Sequence, residues 1–183
     1  MTRSVKFLFI LTFLALSAFY LYVLYLAKHP DVSTAYRMYY LEKKTRIWDR
    51  NQSLAYIPGV LMDLTNERER CPYLSREGWD IPEKDGSGSL FSGAGGLYFT
   101  LHREPGVLKF EGTLTAKKAD TELTIKVSDK FSKTVKFNDA GVQTFELTLP
   151  SGLFIADPAE ANYLSLQSNN PIMFKSFKLS HAG

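Results

Sequence analysis

Three patterns of apolar and polar positions follow one another along the chain. Residues 7–27, FLFILTFLALSAFYLYVLYLA, form a run of 21 residues without a charge. At about 1.5 Å of rise per residue, a helix of that length crosses a hydrocarbon layer about 30 Å thick, so the run predicts one transmembrane helix. Over residues 31–51 the apolar positions Tyr36, Met38, Tyr39, Leu41 and Ile47 make no clean stripe, yet no Gly or Pro interrupts them. A short helix capped by Asp31 or Ser33 is expected there. It either lies near the membrane surface with its tyrosines as interfacial anchors or serves as a plain spacer. Ile57-Pro58-Gly59 ends any helix.

From Gly96 onward the period becomes two. Leu97, Phe99 and Leu101 alternate with polar or smaller neighbours, as do Leu108 and Phe110, then Leu123, Ile125 and Val127, then Val135 and Phe137, then Phe145, Leu147 and Leu149. Residues 163–168 and 173–179 continue the rule, and Gly, Pro, Asn and Asp clusters separate the segments. Short strands with one apolar face each must bury those faces against one another, because no later helix is long enough to cover them. The expected fold is therefore all-β: a jelly-roll-like β-sandwich over 71–183, preceded by a transmembrane anchor over 7–27 and a helical arm and linker over 28–70. An immunoglobulin-like sandwich is the nearest competitor, since periodicity does not fix strand order.

The flanks of the apolar run bear on topology. Arg3 and Lys6 precede it, while Lys28 is soon followed by Asp31. The positive-inside bias then puts the N-terminus in the cytoplasm and the C-terminal domain outside it. A cleaved secretory signal is the competing reading, with Ala15-Leu16-Ser17 as a small-x-small site. The run exceeds the usual signal core of about 7–15 residues, however, and cleavage there would leave a greasy stub. The net charge of +3 is spread unevenly. Residues 71–183 carry 12 basic and 13 acidic side chains, which argues against an electrostatic nucleic-acid footprint. Lys117, Lys118, Lys126, Lys130, Lys133 and Lys136 read as a solvated sheet face. Cys71 is the only cysteine, so no disulfide closes within the chain and no thiolate metal site has the usual spacing.

Residues 78–93 read GWDIPEKDGSGSLFSG, with Gly78, Trp79, Pro82, Glu83 and Gly86 in a distinctive spacing. The segment resembles the opening of the C-terminal β-sandwich module of bacterial membrane-bound phosphoglycerol transferases and related envelope glycan proteins. The aromatic residue that pattern places soon after Gly86 is absent here, and Gly88 stands near its place. The resemblance implies an extracytoplasmic, glycan-associated accessory domain over roughly 72–179, without transferase activity.

The same residues carry chemistry of their own. A tryptophan beside carboxylates suits a sugar, the ring offering an apolar face and the carboxylates accepting hydroxyl hydrogen bonds. Trp79, Glu83 and Asp85 are thus the candidate ligand-binding residues. The alternatives are that Trp79 plugs the open end of the sandwich and that Glu83 holds loop N–H groups. Widely spaced His29, His102 and His181 suggest neither a triad nor a metal site, and the glycines of 86–96 lack the Lys-Ser/Thr of a phosphate loop. No catalytic residue, metal or cofactor is expected. The expected function is that of a non-enzymatic accessory protein of the bacterial inner membrane, serving envelope polysaccharide or glycan biosynthesis. Its partner would be an integral membrane enzyme or transporter, its ligand a glycan. A structural assembly subunit that never contacts sugar is the alternative.

Overall fold

The computed structural model describes residues 3–48, 52–66, 71–80 and 85–182. They form two compact units, Met1–Ser33 and Thr34–Gly183. The first is helix α1 (Arg3–Lys28), none of whose residues is buried. With a mean hydropathy of 2.3 over its most apolar stretch, it is long and apolar enough to cross a membrane, a test that a signal sequence also passes.

The second unit is a sandwich of antiparallel strands: β1 (Met62–Asp63), β2 (Ser89–Phe91), β3 (Ala94–Phe99), β4 (Leu108–Ala116), β5 (Thr121–Val127), β6 (Phe131–Phe137), β7 (Gly141–Leu149), β8 (Asn162–Ser168) and β9 (Ile172–His181). One sheet runs β1-β9-β4-β7, with β2 also pairing β9, and the other runs β3-β8-β5-β6. Strand pairs nest from the outside inward: β2 with β9, β3 with β8, β4 with β7 and β5 with β6. From β2 onward the chain changes sheet at every connection but the β5–β6 hairpin. This is a long antiparallel ribbon rolled onto itself, the jelly-roll arrangement, and the strand order decides against the immunoglobulin-like alternative.

Alternation explains the packing. On β5, Leu123, Ile125 and Val127 point inward and are buried, while Lys126 is exposed. Leu164 and Leu166 on β8, Leu147 and Leu149 on β7, and Phe174, Phe177 and Leu179 on β9 fill the same interior. Removing this apolar surface from water, at roughly 25 cal/mol per Å², drives the fold without any disulfide. Lys175 is the extra residue where the β4–β9 register shifts, and the carbonyl of this bulge accepts the Leu64 N–H at 2.8 Å.

The arm differs from the expected helix over 31–51. Among its described residues only Thr34–Tyr36 is α-helical, continuing as a π-turn over Arg37–Leu41, and residues 49–51 lie outside the described residues. Lys43 takes a left-handed conformation (φ 54°) and ends it. Beyond that point the chain runs along residues 74–76, with Thr45 bridged to Ser75. The reason is tertiary: Ala35, Met38, Ile47, Leu54, Tyr56 and Leu64 are all buried, so this stretch packs within the sandwich unit rather than standing apart as a linker.

Candidate functional site

Trp79 lies inside the sandwich unit, 2% exposed. Its ring packs against Phe91 and Phe174, with centroids 4.8 and 5.0 Å away. Its Nε1–H donates to the Gly96 carbonyl at 3.0 Å. Stacking a sugar on this ring would require the ring to leave the core, so Trp79 stands here as a core side chain. The short segment around it is fixed from both sides: Asp80 N–H donates to Leu90 O and Ser92 N–H to Gly78 O, each at 2.8 Å. Gly78 has φ +81°, and a Cβ there would sit 2.6 Å from the Ala94 carbonyl oxygen, so only glycine fits.

Asp85 is exposed, and its Oδ1 accepts the Ser87 N–H at 2.9 Å. Hydrogen bonds from the Ser87 side chain and backbone hold its carboxyl below the ordinary range. It works locally as a turn former. Glu83 lies outside the described residues. Among the described residues, no hydrogen bond or ion pair joins Asp85 to Trp79.

A different aromatic pair faces outward. Tyr98 on β3 stands directly opposite Tyr163 on β8, and their rings stack at 4.4 Å with 26° between planes. Both lie on the outer face of the four-stranded sheet, because their neighbours Leu97, Phe99 and Leu164 point into the core. Tyr163 is 37% exposed and Tyr98 half-buried. Burial raises both phenol pKa values, aided for Tyr98 by the carboxylates of Glu77 and Glu42. Both therefore stay neutral hydroxyls at physiological pH, able to donate and accept.

Strand register extends this pair into a polar platform. Across the sheet from Gly96 come Ser165, Lys126 and Ser132; from Ala94 come Gln167, Thr124 and Thr134. The Thr124 and Thr134 hydroxyls hydrogen-bond at 2.8 Å. Gly96 is essential to the shape. A Cβ there would lie 2.6 Å from Tyr163 Cε2 and collide with the Leu164 carbonyl, so glycine lets the Tyr163 ring lean over the strand. The Gly96 carbonyl accepts both the Trp79 indole N–H and the Ser75 N–H (2.9 Å). Trp79 thus braces from the core the strand that carries the platform on its other face.

Beside Tyr98 opens a groove of about 460 Å³ lined by Arg37, Glu42, Lys44, Asp157 and Glu160 among others. Arg37 is pinned by Nη2 donating to Ala159 O at 2.6 Å and by the Glu42 carboxylate at 3.3 Å, and Lys44 meets the same carboxylate at 2.7 Å. Thr34 Oγ1 donates to Pro158 O at 2.9 Å, closing the arm onto that loop. Volume and composition suit a small polar ligand with an apolar face: carboxylates, a guanidinium and an ammonium for hydroxyls, the Tyr98 ring for the C–H face. Among the described residues, no group of three or more His, Cys, Asp or Glu side chains could hold a metal ion.

Sequence reasoning named the glycine-rich loop and passed over the tyrosines. The signal was present in the alternation itself: Tyr98 and Tyr163 are large aromatics at positions where period two demands solvent.

No family model matches the chain, and no curated protein does. Solved structures give distant likenesses. A carbohydrate-binding module of Cellvibrio mixtus lichenase 5A, in complex with cellotriose, is 11% identical at a TM-score of 0.40, covering 69% of this chain and 100% of the module. A family 6 carbohydrate-binding module is 11% identical at 0.44, covering 67% and 94%. The C-terminal family 6 module of LamC from Zobellia galactanivorans is 9% identical at 0.42, covering 66% and 98%. At those scores the likenesses carry no argument, and the fold assignment above rests on this chain's own strand order.

Proposed function

We propose that the chain is a membrane-tethered, non-catalytic accessory protein of bacterial envelope glycan biosynthesis or modification, and that the outer face of its four-stranded sheet holds a glycan. The observation that carries this reading is the stacked, solvent-facing Tyr98–Tyr163 pair with hydroxyl and amide side chains in register beside it. A cross-strand tyrosine pair stabilises its ladder by about 0.2–1 kcal/mol, and its outward ring surface and hydroxyls also complement the C–H face and hydroxyls of a sugar. Helix α1 supplies the tether in the inner membrane, with a cytoplasmic N-terminus and the sandwich outside. Residues near the tether meet an integral membrane enzyme or transporter.

The test is binding of the purified chain to an array of envelope glycans, with Tyr163→Ala beside the native protein. Loss of one stacking face is worth about 1 kcal/mol, roughly a five-fold weaker Kd. Glycan binding of native affinity in Tyr163→Ala overturns the assignment to this face, and no binding of the native chain to any envelope glycan favours an assembly subunit. Sidedness is read separately from alkaline phosphatase fused after Gly183, which is active only outside the cytoplasm.

A further inference from the structure

The arm carries a second aromatic surface that the platform does not use. Tyr36, Tyr39, Tyr40 and Trp48 form one cluster: Tyr36–Tyr40 centroids are 4.9 Å apart, Tyr39–Tyr40 4.9 Å, Tyr40–Trp48 5.5 Å and Tyr36–Trp48 5.8 Å. The cluster is not core. Tyr36 is 38%, Tyr40 48% and neighbouring Leu41 51% exposed, and Trp48 is half-buried with its Nε1–H donating to Gln52 O at 3.0 Å. Tyrosine and tryptophan with a leucine among them match a membrane interface, where the rings sit at headgroup level with their polar ends wet. The surrounding charge is of the fitting sign. Residues 28–48 carry five basic side chains (Lys28, Arg37, Lys43, Lys44, Arg46) and two acidic ones, Asp31 and Glu42; Arg37 and Lys44 share Glu42, so one excess positive charge remains on that trio, and Arg46 lies 3.9 Å from Asp80. Covalent reach also favours a bilayer: only residues 29–33 join the end of α1 to Thr34, and fully extended they span at most about 20 Å.

We infer that the Tyr36/Tyr40/Leu41/Trp48 surface seats the sandwich on the headgroup layer of the anionic membrane that α1 crosses. The inference rests on α1 being a membrane anchor. It gives the arm a second contact with the bilayer, so that the domain is held against the surface rather than swinging from a tether. Two attachments of modest strength then act together, as lipid anchors do when paired with a polar or basic patch.

The chain carries its own probe. It has two tryptophans, and Trp79 is sealed in the core, leaving Trp48 as the one at the cluster. The full chain is reconstituted in phosphatidylcholine–phosphatidylglycerol vesicles in which part of the lipid is brominated near the top of its acyl chains. The expected result is loss of Trp48 emission on the brominated lipid, no lipid response in Trp48→Phe, and protection of Trp48 from aqueous iodide. The combined variant Tyr36→Ser, Tyr40→Ser, Leu41→Ser alters only surface positions; it should lose the lipid quenching and gain iodide quenching. Quenching that persists in the triple variant, or a Trp48 open to iodide and blind to brominated lipid, overturns the seat. Alkaline carbonate extraction of the same vesicles separates the two layers of the argument. A chain retained by the vesicles with Trp48 unquenched keeps the anchor and refutes the seat; a chain stripped from them refutes the anchor and the seat with it.

Discussion

Trp79→Phe separates the two roles open to this residue. In the fold the indole makes one hydrogen bond, to the Gly96 carbonyl, and fills the space between Phe91 and Phe174. Phenylalanine keeps the aromatic contact but removes the donor and part of the ring. The lost hydrogen bond costs about 1 kcal/mol, at the lower end because the Gly96 carbonyl still accepts the Ser75 N–H and is not orphaned. The small cavity left by the missing ring adds about 1 kcal/mol. The total of about 2 kcal/mol corresponds to a Tm lowered by roughly 4–8 °C for a domain of this size. Trp79→Ala empties the site and should cost about 3–5 kcal/mol. The assay is thermal and urea unfolding of residues 34–183, followed by circular dichroism, with glycan binding measured on the same samples below the transition. Trp79→Phe should bind as the native domain does. A Trp79→Phe domain of native stability that has lost binding would refute the placement of this ring as a brace and return it to the ligand.

Three further outcomes follow from particular contacts. Gly96→Ala forces a Cβ into the Leu164 carbonyl and the Tyr163 ring, so it should destabilise by about 1–3 kcal/mol and weaken glycan binding together; binding lost at full stability would show the ring moving alone. Stability should fall as pH rises above about 9. Burial pushes the Cys71 thiol up to about 12 and the Tyr56 phenol to about 12, so these groups keep in the folded state protons that the unfolded chain has already released, and each contributes a loss of about 1.4 kcal/mol per pH unit between its unfolded and folded pKa. Equilibrium unfolding at pH 8 and pH 10.5 checks this, and equal stability at both refutes it. Cys71, 3% exposed, should resist a membrane-impermeant thiol reagent in the folded protein and react only in denaturant; rapid labelling of the native chain would place it at the surface.

The sandwich was legible in the sequence because its strands obey the simplest rule available. Residues 123–127 and 145–149 alternate cleanly, each has one face in water, and no tertiary accident was needed to read them. Strand order was not legible, since alternation reports which face is buried and says nothing of the neighbour across the ladder. The arm misled for a physical reason. Residues 42–48 have no helix breaker, yet Thr45 pairs with Ser75 and Ile47 is buried, so contacts far along the chain outweigh local propensity. The platform was hidden for another. Tyr98 and Tyr163 lie 65 positions apart, and only the β3–β8 register makes them one surface.

Trp79 and the tyrosine pair then belong to one construction rather than to rival sites. A flat aromatic pair on a sheet face keeps its shape only if the strand beneath it cannot shift. Strand β3 carries two adjacent glycines, Gly95 and Gly96, where side-chain packing contributes nothing and the backbone is least restrained. Position 96 must be glycine for Tyr163 to lean over it, so stiffness has to come from hydrogen bonds instead. The Gly96 N–H donates to Ser75 Oγ at 2.8 Å, and its carbonyl takes the Ser75 N–H and the Trp79 indole. Ser75 also bridges to Thr45 of the arm, and that arm supplies Arg37, Glu42 and Lys44 to the groove beside Tyr98. The glycine that makes room for the ring therefore sets the demand that a buried tryptophan and the arm meet. A residue chosen from the sequence as a sugar ligand acts at one remove, by holding still strand β3, on which Tyr98 stands against Tyr163 of β8.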